Sequence, residues 1–317
     1  MNDVKPSVLV LGGGPDSERP VSLQSAASVA SALRASGHEV HPVTIDRPTL
    51  PELSAMPGEV IFPVLHGPWG EGGGLQSLIE RDGRPFVGCG RNAASMALDK
   101  LATKLLAATL GVPTPAACAV RAGSDRCAIE PPVVIKPVFE GSSVGLHLCA
   151  DDESLSSALD TLDPKLGPWM AERAVRGREL TVGVLASDDG GLRALPIVEV
   201  RPKDGAYDFA AKYERDDTVY AVAPELPRGL SAIVGERAVR VAEAMRVRHL
   251  ARVDFLLDSE GRSWLLEVNT MPGFTSHSLL PMAAKAAGLE MPQLTALLVQ
   301  RAVGDAAVVT IGSHQGG

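Results

Sequence analysis

The apolar residues of this chain fall into short runs of strand or helix period, separated by glycine and proline clusters. Residues 7–11 form a continuous apolar run ending at Gly12-Gly13-Gly14, which predicts a buried strand and a tight turn. Helical spacing predicts a helix over 22–36, stopped by Gly37. Residues 39–45 and 59–65 read as strands, 75–81 as a helix, and Phe86-Val87 as the start of a short strand. Strands alternating with helices imply a parallel sheet with crossover helices. Residues 1–93 are therefore expected to form a small doubly wound domain.

The pattern then changes. Residues 94–110 predict one helix carrying Lys100 and Lys104, broken by Gly111-Val112-Pro113-Thr114-Pro115. Residues 132–137, 169–172 and 180–186 read as strands, and 152–162 as a helix. A second α+β unit is expected over 94–178 and a third over 179–310, with a larger antiparallel sheet and a tail at 311–317. Residues 203–227 have few apolar repeats and read as a long functional loop. The final residues, from Ser313 on, are expected to be disordered.

The most informative stretch is 251–280, ARVDFLLDSEGRSWLLEVNTMPGFTSHSLL. Its two apolar arms flank Asp258-Ser259-Glu260-Gly261, a turn signal, so a β-hairpin is predicted. Alternation puts Arg252 and Asp254 on one face, and Glu267 and Asn269 on one face. A two-residue turn at Ser259-Glu260 sets Arg252 opposite Glu267 and gathers all four on one side. A one-residue slip would separate the pairs. Oxygen-bearing side chains among apolar strand residues are costly unless a cation satisfies them. Hard oxygen donors suit Mg²⁺ and the phosphates it carries. A solvated polar face with a salt bridge is the plainer alternative. After Gly273, Ser276-His277-Ser278 precedes an apolar helical run. There a serine can cap the helix, and the helix-start N–H groups can bind a carboxylate.

Composition narrows the partners. The chain has 317 residues, enough for two or three domains, and its net charge of -8 favours neither nucleic acid nor an anionic membrane. Aromatic residues, at 4%, are too few for a base-stacking platform. Cys89, Cys118, Cys127 and Cys149 form no C-x-x-C pair, and the N-terminus is not signal-like. Reduced thiols in the cytoplasm are expected. No apolar run is long enough to span a bilayer. An anionic substrate must then be met by local basic residues and metal.

Gly12 to Gly14 fail the dinucleotide fingerprint because position 17 is Ser17, and no P-loop pattern occurs. Glu18 in that turn is either a helix cap or a functional carboxylate. Lys136 ends a strand before Glu140-Gly141-Ser142-Ser143-Val144-Gly145. That loop of small residues can approach phosphates through backbone N–H groups and close as a lid, or serve as an ordinary turn.

Together these strings resemble the D-alanine–D-alanine ligases of the ATP-grasp superfamily over nearly the whole chain. The resemblance rests on Glu18-Arg19-Pro20-Val21-Ser22-Leu23, Leu65-His66-Gly67, Asp99-Lys100-Leu101, Val134-Ile135-Lys136-Pro137 and the loop from Glu140. Further matches are Tyr207-Asp208, Lys212-Tyr213, Arg252-Val253-Asp254 and the long string from Leu266 to Leu279. It implies an α/β (α+β) ATP-grasp fold behind an N-terminal pre-ATP-grasp domain. It also implies ligation of two D-alanines through a D-alanyl phosphate, with ATP and two Mg²⁺ or Mn²⁺ ions, in a cytoplasmic homodimer. By resemblance, Lys100, Lys136 and Lys212 meet ATP phosphates, Glu172, Arg173 and Val175 belong to the adenine hinge, and Glu179 holds the ribose. Asp254, Glu267 and Asn269 hold metal. Glu18 holds the first ammonium, with Ser142 and Tyr213 latching the loops. Arg252 and the Gly273 N–H stabilise the oxyanion, and Ser278 and Leu279 hold the second carboxylate near His66. Tyr213 favours D-alanine over D-lactate as the second substrate. The chain departs from the family pattern at Pro20, Gly72 and Ala210, where an acidic residue is common.

Overall fold

The computed structural model describes residues 5–123, 127–141, 144–203 and 218–314, with side chains described as far as 305. Val8–Gly13 (β1) is buried throughout and lies between Val40–Ile45 (β2) and Val60–Pro63 (β3) in a parallel sheet of order β2-β1-β3. A bridge from Ile61 to Phe86 extends it. Val8 and Val10 pack on Val29 and Leu33 of Arg19–Ala35 (α1), and on Leu294 and Leu298 near the C-terminus. Leu9 and Leu11 face the other way, onto Leu53 of Leu50–Ser54 (α2). Burial on both faces is why β1 reads as an unbroken apolar run. Gly13 makes the tight turn with φ 102°, and a β-carbon there would stand 2.6 Å from the Ile45 carbonyl oxygen.

Three expectations in this half need correction. Helix α1 starts at Arg19, earlier than predicted, with Pro20 in its first turn, where the missing N–H is harmless. The run after His66, whose glycines read as a loop, contains a short helix, Gly67–Glu71 (α3), followed by Gly74–Asp82 (α4). The single helix predicted over 94–110 is two, Arg91–Leu98 (α5) and Lys100–Thr109 (α6). Asp99 separates them and caps the second, accepting from Ala102 N at 2.9 Å.

The second sheet is antiparallel, of order β4-β7-β5-β6. Its strands are Ala117–Val120 (β4), Val133–Pro137 (β5), His147–Cys149 (β6) and Trp169–Arg173 (β7). Val133, Ile135 and Ala171 pack under Leu155 and Leu159 of Asp152–Asp160 (α7). The opposite face carries Lys136 and Glu172. Strands β4 and β6 escaped prediction because three or four residues hold too little alternation to read.

The third sheet runs β11-β10-β8-β12-β13, with β9 also on β8. Its strands are Arg178–Ala186 (β8), Leu192–Ala194 (β9), Val198–Arg201 (β10), Val219–Val222 (β11), Leu250–Leu257 (β12) and Ser263–Asn269 (β13). Leu230–Ala244 (α8) covers one face, with Val234 and Val241 against Val182 and Phe255. On the other face Leu279–Ala286 (α9) packs at one end, Leu280 against Leu185 and Leu250. Further along that face lie Thr181, Arg252 and Asp254. Strand β11 lies within the stretch predicted as a loop, of which 204–217 fall outside the described residues. The last helix, Met291–His314 (α10), continues into the residues expected to be disordered.

The hairpin β12–β13 forms in a different register. Arg252 pairs with Asn269 and Asp254 with Glu267, then the pairing shifts to Phe255 with Leu265. Asp258 accepts from the N–H groups of Glu260 (3.0 Å) and Arg262 (2.9 Å) and from Trp264 Nε1 (2.8 Å), which organises a longer turn than predicted. The irregularity beyond Asp254 absorbs the extra residue as a bulge. At the polar end the total offset from prediction is two residues, so the shared face survives.

Candidate active site

Two lysines of α6 tie the second sheet to the third. Spaced one turn apart, they project from the same side of the helix. Lys100 Nζ donates to the Glu140 carbonyl and stands 4.0 Å from Glu267 Oε2. Lys104 Nζ donates to Thr114 Oγ1 at 2.8 Å and ion-pairs with Glu172, which also meets Lys136 at 3.1 Å. Thr114 Oγ1 in turn donates to the Leu265 carbonyl of β13 at 2.8 Å. Burial opposes ionisation of Glu172, but Lys136 and Lys104 outweigh it and hold its pKa below the usual value. Burial brings Lys104 down to about 8 against the pull of Glu172. At neutral pH the cluster is therefore an ionised carboxylate between two cations.

The polar end of the third sheet gathers the four hairpin residues. Arg252 donates to both oxygens of Asp254 (Nε at 3.1 and 3.0 Å, Nη2 at 2.9 Å) and lies 3.9 Å from Glu267. Thr181 on β8 donates to Asp254 at 2.7 Å. Asn269 Oδ1 accepts from Met271 N at 2.9 Å. Among the described residues no three His, Cys, Asp or Glu side chains form a ready metal cage. The donor set is instead two carboxylates and an amide oxygen on adjacent strands, next to a lysine. Those hard oxygens fit a phosphate-bound Mg²⁺.

The N-terminal layer closes over this face. Glu18 occupies the N-cap position of α1 yet makes no capping bond, and it is buried. A β-carbon on Gly141 would lie 3.4 Å from Glu18 Oε2, so the loop after β5 reaches the start of α1. His66 and Glu71, at the two ends of α3, are also buried. Burial lowers the His66 pKa and leaves the ring neutral, against the pull of Glu18. Burial and Glu18 together raise Glu71 well above the carboxylate range. Asp16 holds α3 in place by accepting from Trp69 N (3.0 Å) and Gly70 N (3.3 Å). At the start of α9, Ser278 does not cap the helix. Its Oγ accepts from Thr275 N at 2.9 Å, and a β-carbon on Gly273 would stand 2.7 Å from it.

Residues 124–300 match the family model described as D-ala D-ala ligase C-terminus. A D-alanine–D-alanine ligase of Bordetella avium is 40% identical over 294 residues, covering 90% of this chain and 91% of the relative. A D-alanine–D-alanine ligase B of Chromobacterium violaceum is 40% identical over 291 residues, covering 90% and 94%. The chain belongs to the D-alanine–D-alanine ligase family. Its fold is the ATP-grasp fold, shared over 98% of both chains with the D-alanine–D-alanine ligase structure from Coxiella burnetii (TM-score 0.83, 22% identity). The VanG D-Ala:D-Ser ligase from Enterococcus faecalis also superposes (TM-score 0.79, 25% identity, 93% of this chain and 99% of that one). ATP and divalent metal ions are what this family uses.

Of the ligase residues expected from sequence, Lys100, Glu267 and Asn269 line one cleft. Arg252 and Asp254 adjoin Glu267 on the same sheet face, and Glu18 lies beside Gly141 of that cleft. His66 is buried at the start of α3, and Gly273 and Ser278 adjoin each other. Lys136 and Glu172 lie together on the front of the second sheet. The Arg173 side chain is exposed, and its N–H bonds the Ala116 carbonyl at 2.9 Å. Val175 is half-buried beyond the end of β7, and Glu179 sits on β8 beside Leu256 and Val200. Ser142, Lys212 and Tyr213, like Ala210, lie outside the described residues. The sequence reading assigned no role to Lys104, Thr181 or Glu71. The spacing from Lys100 was a usable signal for Lys104; the other two acquire their neighbours only in the fold.

Proposed function

We propose that this chain is an ATP-dependent ligase that joins two D-alanines through a D-alanyl phosphate, supplying the dipeptide for peptidoglycan precursors. What carries the reading is one convergence: Arg252, Asp254, Glu267 and Asn269 share a sheet face that abuts Lys100 and the buried Glu18. Phosphoryl transfer is mostly positioning and charge neutralisation, which lysines and metal supply without a nucleophilic side chain.

Asp254, Glu267 and Asn269 would hold two Mg²⁺ or Mn²⁺ ions, which neutralise phosphate charge when bound. Lys100, Lys136 and Lys212 would grip the phosphates, with Glu172, Arg173 and Val175 at the adenine hinge and Glu179 on the ribose. Glu18 receives the first ammonium, Ser142 and Tyr213 latch the loops, and Arg252 with the Gly273 N–H faces the developing oxyanion. Ser278, the Leu279 N–H and His66 orient the second substrate. An acyl phosphate hydrolyses when wet, so the loops around Gly141 and Tyr213 act as lids. The three sheets support a division close to 1–93, 94–178 and 179–310, although β8 begins at Arg178 and α10 runs to His314, into the 311–317 stretch read as a tail. A cytoplasmic homodimer is the expected setting. Free cysteines fit a reducing compartment.

The test is product mass and phosphate release with ATP, Mg²⁺ and D-amino acids singly and in pairs. D-Ala-D-Ala as the main product is the expected result. A mixed dipeptide or depsipeptide selects a sister ligase, and tight ATP binding without turnover selects a non-catalytic binder.

A further inference from the structure

We infer that Glu71 receives the ammonium of the second substrate and takes from it the proton that must leave before attack. This rests on the ligase reading above. Glu71 closes α3 and is 8% exposed. Its Oε2 is sealed from solvent and has no hydrogen-bond partner among the described residues, and the same holds for His66 Nε2 at the other end of the helix. A buried polar atom left unsatisfied costs about 1–3 kcal/mol, so the Glu71 oxygen calls for a ligand. Glu71 lines the same cleft as Lys100, Gly141, Glu267 and Asn269, and feels the charges of Glu18 and Arg252. The nearby protein cations are committed elsewhere: Arg252 to Asp254, and Lys100 to the Glu140 carbonyl. Glu71 has the Gly67 backbone as a hydrogen-bond partner, but its Oε2 lacks a donor, and the incoming amino acid brings one. The two substrates carry one ammonium each. With Glu18 on the first, Glu71 is the remaining buried carboxyl on this cleft for the second.

The proton balance is explicit. The ammonium gives one proton to the Glu71 carboxylate, and the freed nitrogen lone pair forms the C–N bond to the acyl carbon. As the tetrahedral adduct collapses, the bond from that carbon to the phosphate oxygen breaks. Phosphate leaves with the electron pair and takes the second nitrogen proton. Burial raises the proton affinity of this carboxyl; the proton it holds in the empty site passes to solvent as the ammonium docks, and the carboxylate so formed then accepts the ammonium proton.

Glu71→Gln keeps the shape and removes the proton acceptor. Two reactions of the full chain with ATP and Mg²⁺ separate the possibilities. Hydroxylamine, uncharged at neutral pH, traps the acyl phosphate as a hydroxamate without needing Glu71. Dipeptide formation needs it. We expect the hydroxamate rate to stay within about threefold, the dipeptide rate to fall about 10²-fold or more, and the acid limb of its pH profile to disappear. Glu71→Asp, which keeps a carboxylate, should recover part of the loss. Equal losses in both reactions, or an unchanged dipeptide rate and pH profile, overturn the inference. If the unsubstituted chain yields neither product, the ligase reading fails and the inference falls with it.

Discussion

Arg252 balances charge on the hairpin face as well as serving the proposed oxyanion role. Its guanidinium neutralises Asp254 through three short contacts, and it stands near Glu267. Without a counter-charge these half-buried carboxylates would repel each other across the strand pair. Arg252→Ala is expected to lower kcat about 10²- to 10³-fold while changing the KM for ATP much less, because an oxyanion donor acts mainly in the transition state. Steady-state kinetics with ATP varied decide it, and equal losses in both parameters would rule out the oxyanion role. The residue types at this site were legible because polar groups inside apolar strands are conspicuous. Glu71 was not, since a glutamate in a glycine-rich stretch looks like ordinary solvent-facing polarity. Only burial against Glu18 gives it its altered proton affinity.

Among elements, α3 carries the most function per residue. Its start is pinned by Asp16, and Gly67 opens it with φ 80°. A β-carbon at Gly67 would lie 2.4 Å from Asp16 Cβ, so both conformation and space demand glycine there. Gly67→Ala should destabilise the protein by about 1–3 kcal/mol in urea unfolding. It should also raise the KM for D-alanine more than the KM for ATP, because it displaces His66 and Glu71. An unchanged unfolding midpoint would contradict this account. Strong elements such as β1, α1 and β8 were readable from periodicity alone. The break between α5 and α6 was less plain, because Asp99 turns it by capping rather than by glycine or proline. The hairpin register depended on the Asp258 turn network, which no local pattern announces, yet the face of each polar residue followed from alternation and survived the shift.

At the scale of the molecule, three segments far apart in sequence meet at His249, which is 1% exposed. Its Nδ1 accepts from Gly88 N at 3.0 Å, and its Nε2 then donates to Asp305 Oδ2 at 3.1 Å. Arg248 beside it donates to the Gly88 carbonyl at 2.8 Å and stacks 4.4 Å from the Phe86 ring centre. Burial, with Arg248 and Arg301 nearby, lowers the His249 pKa against the pull of Asp305. The unfolded chain therefore binds a proton that the folded state refuses. Stability should fall as pH drops below about 6.5. His249→Phe should cost about 1–3 kcal/mol at pH 7.5, since it strands the Gly88 N–H, and should flatten that acid slope. Some slope remains because His38 and His66 are shifted in the same direction. Urea unfolding at about pH 7.5 and pH 5.5 measures both effects, and an undiminished slope would refute the assignment. By itself the sequence determined the type of the longer strands and helices, the sidedness of the hairpin, and the oxygen and lysine chemistry of the site, because these follow from short-range periodicity and residue type. The tertiary structure alone decided that α10 completes the N-terminal core, that Lys104 and Lys136 share Glu172, and that Glu18 and Arg252 come close enough for their charges to act on Glu71. Those relations depend on long-range packing, which places residues by shape and burial rather than by spacing along the chain.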